Sequence, residues 1–242
     1  MSTSILLEIA VFNIESALQA MDAGANRIEF CENPQEGGTT PSYGSLQVLA
    51  KLASIPVFPI IRPRGGDFLY SKYEFDSIKE DLIMIKELDY PGAVIGFLNS
   101  DGSIDIDRTT ELVALAGEME ITFHRAFDRC NNAVKGLEAI IQTGCKRILT
   151  SGQVPNANDA LPILKQLVDQ AGDRIIIMPG SGVRANNIEH IIQSTGAKEI
   201  HSSARKMFPS KMNFNQSTMQ EQMQFTGVDE NEIIEMLAKL DF

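Results

Sequence analysis

Apolar runs of strand length return eight times along the chain, and amphipathic stretches of helix length alternate with them. The runs are LLEIAV (from Leu6), RIEFCE (Arg27), VFPIIR (Val57), GAVIGF (Gly92), EITFHR (Glu120), RILTSG (Arg147), RIIIMPG (Arg174) and KEIHSS (Lys198). Segments such as NIESALQAMDAG and YEFDSIKEDLIMIKELD repeat apolar positions at three- and four-residue steps, as a helix with one buried face requires. Eight βα units in 242 residues, 43% of them hydrophobic, predict one domain over 1–242. In that length a closed (β/α)8 TIM barrel pairs every strand edge, whereas an open doubly wound sheet leaves edges to protect. The first βα turn, VFNIES, lacks the glycine fingerprint of a dinucleotide site, which also favours the barrel.

Helix starts are expected at the capping residues Asn13, Ser42, Asp107, Asn158 and Asn186, and helix stops at Gly24, Gly144 and Gly196. One connection breaks the rhythm. Residues 206–227 read as a long polar loop without a period, set to cover the barrel mouth or join a subunit contact in a homo-oligomer, ahead of a final helix over 228–241.

A formal charge of −11 and the lack of a long basic block argue against nucleic acid or an anionic membrane surface, since phosphate backbones demand clustered Lys and Arg. The expected partner is a small anionic molecule or a metal ion. The first apolar run is interrupted by Glu8 and has no basic flank, so it reads neither as a signal peptide nor as a spanning helix; a cytoplasmic location follows as the expectation. Cys31, Cys130 and Cys145 are too few and too scattered for a disulfide framework or a zinc cage.

Side chains alternate across a strand, so one parity of each run faces the helices and the other faces the barrel lumen. Where Leu7, Ile9, Val11, Ile28, Phe30, Ile121, Phe123 and Ile200 take the helix side, the lumen receives Glu8, Glu29, Cys31, Arg62, His124 and His201. Unpaired charges among packed side chains cost on the order of several kcal/mol, so these groups need one another or a ligand. Most fall late in their strands, near the C-terminal mouth where barrel active sites are built. Glu8, Glu29, His124 and His201, with Asp128 of HRAFD, are therefore candidate catalytic groups; an internal ion network that fixes strand register is the competing reading.

The loops after the strands add candidate binding groups. In RPRGGDF, Arg62 and Arg64 present guanidinium forks beside two glycines, an arrangement suited to carboxylate or phosphate. Arg125 follows strand five, and Thr150 and Ser151 follow strand six. Gly180, Ser181 and Gly182 after strand seven, with Ser202 after strand eight, lie where barrels commonly hold a phosphate on backbone N–H groups.

The stretches GANRIEFCENPQEGGTTPSYG, PVFPIIRPRGGDFLYS, ITFHRAFD, RILTSGQ, IIIMPGSGVR and IHSSAR together resemble the CutC copper-homeostasis family, in order and spacing from about Leu7 to Arg205. The resemblance implies a barrel fold, a cytoplasmic setting, a part in copper handling and Cu(I) held through cysteines. Cys31 matches the family cysteine of strand two, while Ala10 stands where members carry another. Two functions remain in play: copper homeostasis by binding or trafficking, and a barrel enzyme acting on a small phosphorylated or sugar-acid substrate.

Overall fold

The computed structural model describes residues 5–220 and 223–240. Positions 221–222 of the expected loop, position 241 of the expected last helix and the outermost terminal residues lie outside the described residues. Eight strands occur in the expected places: β1 (Leu6–Val11), β2 (Arg27–Phe30), β3 (Val57–Pro59), β4 (Gly92–Ile95), β5 (Glu120–Phe123), β6 (Arg147–Thr150), β7 (Ile176–Pro179) and β8 (Glu199–Ser202). They pair in parallel as β3-β2-β1-β8 and β4-β5-β6-β7. A parallel bridge between Ile60 and Val94 joins the two sets on one side. On the other, β7 lies alongside β8, and no ladder joins that pair among the described residues. The result is the eight-stranded α/β barrel that the repeat predicts.

The helices alternate with the strands: α1 (Ile14–Asp22), α2 (Tyr43–Leu52), α3 (Lys72–Glu87), α4 (Ile106–Ala116), α5 (Ala133–Thr143), α6 (Leu161–Ala171), α7 (Ile188–Thr195) and α8 (Glu230–Ala238). Asn13 and Ser42 cap α1 and α2 as expected, by accepting from the backbone N–H of Ser16 and Ser45. Three other starts differ from expectation. Asp105 rather than Asp107 caps α4, a short 3-10 turn around Asn158 precedes α6, and α7 begins after Asn187. In each case a loop residue outside the helical period sets the start, which periodicity alone does not register.

The helix-facing parity of the strands forms the main core. Leu7, Ile9, Ile28, Phe30, Phe123, Ile148 and Ile200 are fully buried there against helix residues such as Leu46, Leu82 and Leu137. Full burial of each such side chain is worth about 2 kcal/mol. The lumen holds a separate, smaller apolar cluster of Cys31, Phe58, Ile60 and Val94, with Phe12 against it. Bare positions make room for it: a Cβ on Gly92 would meet the Phe58 ring at 2.5 Å.

The segment read as an unstructured loop contains an antiparallel hairpin, β9 (Arg205–Pro209) with β10 (Gln224–Val228), with Phe208 stacked on Phe225. Both strands are largely exposed, so neither shows the apolar–polar alternation that marks a half-buried strand. Asn13 pins the hairpin to the barrel by donating to the Thr226 carbonyl at 2.9 Å. The last helix starts at Glu230, because residues up to Val228 are still strand.

Candidate functional site

Two layers of polar side chains cross the lumen. The lower begins at Arg27, the first residue of β2, whose Nε donates to Glu8 Oε2 and whose Nη2 donates to Glu199 Oε2 at 2.5 Å. Arg147, the first residue of β6, reaches the same Glu199 oxygen at 3.1 Å, Glu120 at 2.5 Å and the Thr122 hydroxyl at 3.3 Å. The two guanidiniums each stack on the Phe58 ring, with centroid distances of 5.1 and 5.2 Å. Arg27 and Arg147 escaped the sequence reading, although Arg27 shares the parity of Glu29 and the signal was present.

Above that layer, the register of β1 against β8 sets Glu8 beside His201, and that of β1 against β2 sets Ala10 beside Glu29. Glu8 Oε1 accepts from His201 Nδ1 at 2.8 Å, and His201 Nε2 stands 3.7 Å from Glu29 Oε2. Arg27, Glu8, His201 and Glu29 thus form a continuous buried chain that ends at the cavity. Burial works against a charge on Glu8, but Arg27 and His201 together hold its carboxyl at about 2. Burial also opposes a charged His201, and the hydrogen bond it donates to Glu8, with the Glu29 charge, outweighs it, raising the imidazole. Glu29 has no such partner below it. Burial lifts it to about 7, the pull of His201 offsetting part of the rise. At neutral pH, Glu29 is the member of the three poised to exchange a proton.

A cavity of about 530 Å³ opens over this chain at the C-terminal mouth. Its wall includes Glu29, Cys31, Arg62, His124, Arg125, Ser181, Gly182, His201 and Ser202 from the expected set. Phe12, Phe68, Asn156, Arg184, Ser203 and Arg205 also line it. Loop packing rather than strand parity places these residues, so they carry no periodic signal. Arg205 comes from β9, so the hairpin contributes to the mouth. Among the described residues, the backbone N–H groups of Ser181, Gly182 and Val183 make no hydrogen bonds, and Ser181 and Gly182 have φ of 81° and 70°. Consecutive N–H groups without protein partners are of the kind that can receive an anion. Gly180 is not one of these free N–H groups: its N–H donates to the Thr150 carbonyl, and its missing side chain makes room for Leu149, with His201 beside it. Ser202 donates to the Val183 carbonyl at 2.8 Å and steadies the same loop.

Other expected site residues are turned to structural contacts outside the cavity wall. Asp128 accepts from Thr150 Oγ1 at 2.5 Å, from Arg125 Nε at 2.7 Å and from the N–H groups of Ser151 and Gln153, a staple between the loops after β5 and β6. Thr150 and Ser151 are the other half of that staple. Arg64 is held by Glu74 at 2.5 Å, by Asp67 and by the carbonyls of Gly65 and Leu69. Arg62, by contrast, does line the cavity; it donates to the carbonyls of Glu36, Gly38 and Gly66, and among the described residues it forms no ion pair with a glutamate.

Glu8, Glu29 and His201 each offer a ligand atom within 4.8 Å of the others. The Arg27 guanidinium already occupies one Glu8 oxygen and would repel a cation there, so this cluster does not fit a metal centre. Soft Cu(I) calls for sulfur ligands. Cys31 is the sole thiol of the cavity wall among the described residues, and burial, reinforced by Glu29 and Glu8, pushes it well above the usual thiol range. Cys130 and Cys145 are buried elsewhere, and all three are unpaired. The donor set therefore does not fit a multi-sulfur copper site.

Fold and cavity together define a TIM-barrel protein with a pocket lined by charged and polar side chains at its C-terminal mouth. The CutC family model matches residues 5–206, and the chain belongs to that family. A CutC family protein of Proteus mirabilis is 50% identical over 211 residues, which are 87% of this chain and 84% of the relative. One from Chromobacterium violaceum is 44% identical over 225 residues, 93% of this chain and 90% of the relative. The crystal structure of a Streptococcus agalactiae CutC protein named for copper homeostasis superposes with a TM-score of 0.78 at 33% identity, covering 82% of this chain and 98% of that one. Phosphoribosylanthranilate isomerase of Thermotoga maritima, at 11% identity and TM-score 0.60 over 98% of both chains, shares the fold alone. No helix among the described residues is long and apolar enough to cross a membrane.

Proposed function

We propose that this CutC-family barrel is an enzyme that moves a proton on a small anionic substrate, with Glu29 as the exchanging group. One observation carries the reading: the buried Arg27–Glu8–His201–Glu29 chain ends at the cavity wall in a carboxyl held near pH 7. A proton carrier works best when its pKa lies near the working pH. Arg27 and Glu8 keep His201 charged and oriented, and His201 in turn fixes Glu29. The N–H groups of Ser181, Gly182 and Val183, with Arg184 and Arg205, supply the anion cradle. A phosphate or carboxylate group there would orient the rest of the substrate toward Glu29.

Copper handling, the role in the name of the Streptococcus relative, is the second reading. Cys31 beside Glu29 supports it, and the single thiol weighs against it. Three unpaired cysteines agree with a reducing, cytoplasmic setting. The test incubates the protein with a panel of sugar phosphates and sugar acids in D2O and follows deuterium at carbon by NMR. Deuterium incorporation that Glu29→Gln abolishes, with binding retained, is the expected result. A panel that neither binds at millimolar concentration nor exchanges would sink the enzyme reading.

A further inference from the structure

Among the described residues, three buried side-chain polar atoms lack a hydrogen-bond partner: His124 Nε2, Arg62 Nε and the Tyr70 hydroxyl. The first two belong to residues in the wall of the mouth cavity, where buried polar groups without a partner are uncommon and each costs about 1–3 kcal/mol. Tyr70 lies outside that wall and faces Arg62, whose charge and loose side-chain hydrogen bond act on the phenol, so His124 Nε2 is the clearest orphan of the cavity wall. The His124 tautomer follows from its surroundings. Nδ1 accepts from the Ala126 backbone N–H at 3.1 Å, so the proton resides on Nε2 and that edge of the ring is a donor. A Cβ at Gly96 would collide with the Nδ1 edge, so the imidazole is seated against bare backbone. Burial, and then the Arg62 charge, depress its pKa to about 3, which keeps it a neutral donor.

Phe68, on the loop between β3 and α3, packs against both His124 and Arg62. Its ring centroid lies 5.0 Å from that of His124, and the Arg62 guanidinium lies 5.1 Å above the same ring. Phe68 lines the mouth cavity and also a neighbouring one of about 540 Å³, formed with Gly66, Leu69, Leu98 and Arg129. The ring therefore stands as a partition with space on both sides.

We propose that His124 Nε2–H and the Arg62 guanidinium form a covered site for a carbonyl oxygen of the substrate, uncovered when the Phe68 ring swings into the neighbouring cavity. The inference rests on the proton-transfer reading and names its substrate class: a carbonyl compound with a hydrogen on the adjacent carbon and an anionic group at its other end. The Glu29 carboxylate takes the proton from that carbon. The C–H electron pair becomes the C=C bond, and the carbonyl π pair moves onto oxygen as an oxyanion. The His124 and Arg62 N–H groups receive it, and reprotonation at carbon by Glu29 closes the cycle. A neutral imidazole is a known electrophile for this task, since it donates without having to surrender its only proton.

The experiment compares two probes by calorimetry, phosphoglycolohydroxamate, a mimic of an enediolate, and inorganic phosphate. The hydroxamate is expected to bind at least 100-fold more tightly than phosphate. His124→Leu is expected to weaken the hydroxamate by 30-fold or more and leave phosphate within 2-fold, while Phe68→Ala speeds hydroxamate association. In the wild type, ¹⁵N–¹H NMR should show His124 in the Nε2–H form, with that proton moving downfield on hydroxamate binding; this readout holds even if a variant fails to fold. Equal affinities for the two probes, or an unmoved His124 proton in the saturated complex, would overturn the proposal. Tight hydroxamate binding without phosphate binding would uphold it and count against the anion cradle instead.

Discussion

The lower and upper polar layers of the lumen use the same kinds of side chain to opposite ends. Below, every charged group of the Arg27–Glu8–Glu199–Arg147 set has a protein partner, and the guanidiniums sandwich Phe58. Above, Arg62 and His124 retain donors without acceptors, and Glu29 sits at the end of a chain with its charge only half supported. The difference separates polar groups that hold a barrel together from those kept ready for something not part of it. Burial does not make the distinction, since both layers are buried. The inventory of partners does.

The largest effect should come from breaking the lower layer. Arg27→Met leaves buried Glu8 with His201 alone and Glu199 with Arg147 alone, and chemical denaturation should show a loss of about 3 kcal/mol. A loss under 1 kcal/mol would erase the contrast. Next comes the pH response of Glu29. Its folded pKa is raised, so its contribution is complete below the unfolded value of 4.5 and is lost as pH rises through about 7, a swing of about 3 kcal/mol. His201, also raised, acts in the same direction, while Glu8, held at about 2, contributes above 4.5 and is lost as pH falls toward 2. Thermal melts from pH 5 to pH 8 should therefore fall for the wild type and flatten for Glu29→Gln.

A smaller effect is expected in the upper layer. His124→Leu removes an unsatisfied donor along with some packing, and these changes oppose each other, so stability should stay within about 1 kcal/mol. Smallest of all is Cys31→Ser in a Cu(I) titration against a moderate chelator, where wild type and variant should be indistinguishable. Stoichiometric Cu(I) uptake that the serine variant loses would restore the copper reading.

The barrel was legible because parallel strands and their covering helices write their periods directly into the chain. Parity went further and grouped Glu8, Glu29 and His201, which the register of β1, β2 and β8 then brings into contact. It could not by itself pair Glu8 with Arg27, which shares the parity of Glu29 but, as the first residue of its strand, resembles a loop charge. Nor could it show that Asp128 is consumed by Thr150, Ser151 and Arg125, since contacts between loops depend on turn geometry that has no repeat. Phe68 was unreadable for the same reason. Only the folded path of RPRGGDF lays its ring over His124.

The missing ladder between β7 and β8 bears on how the mouth yields to a guest. The loop of Ser181 to Arg184 hangs from β7, and His201 to Ser203 hang from β8, so two neighbouring lips of the opening are carried by the staves that no ladder joins among the described residues. Spreading those lips breaks side-chain ties such as the Ser202 hydroxyl on the Val183 carbonyl, at 2.8 Å, but no strand ladder among the described residues.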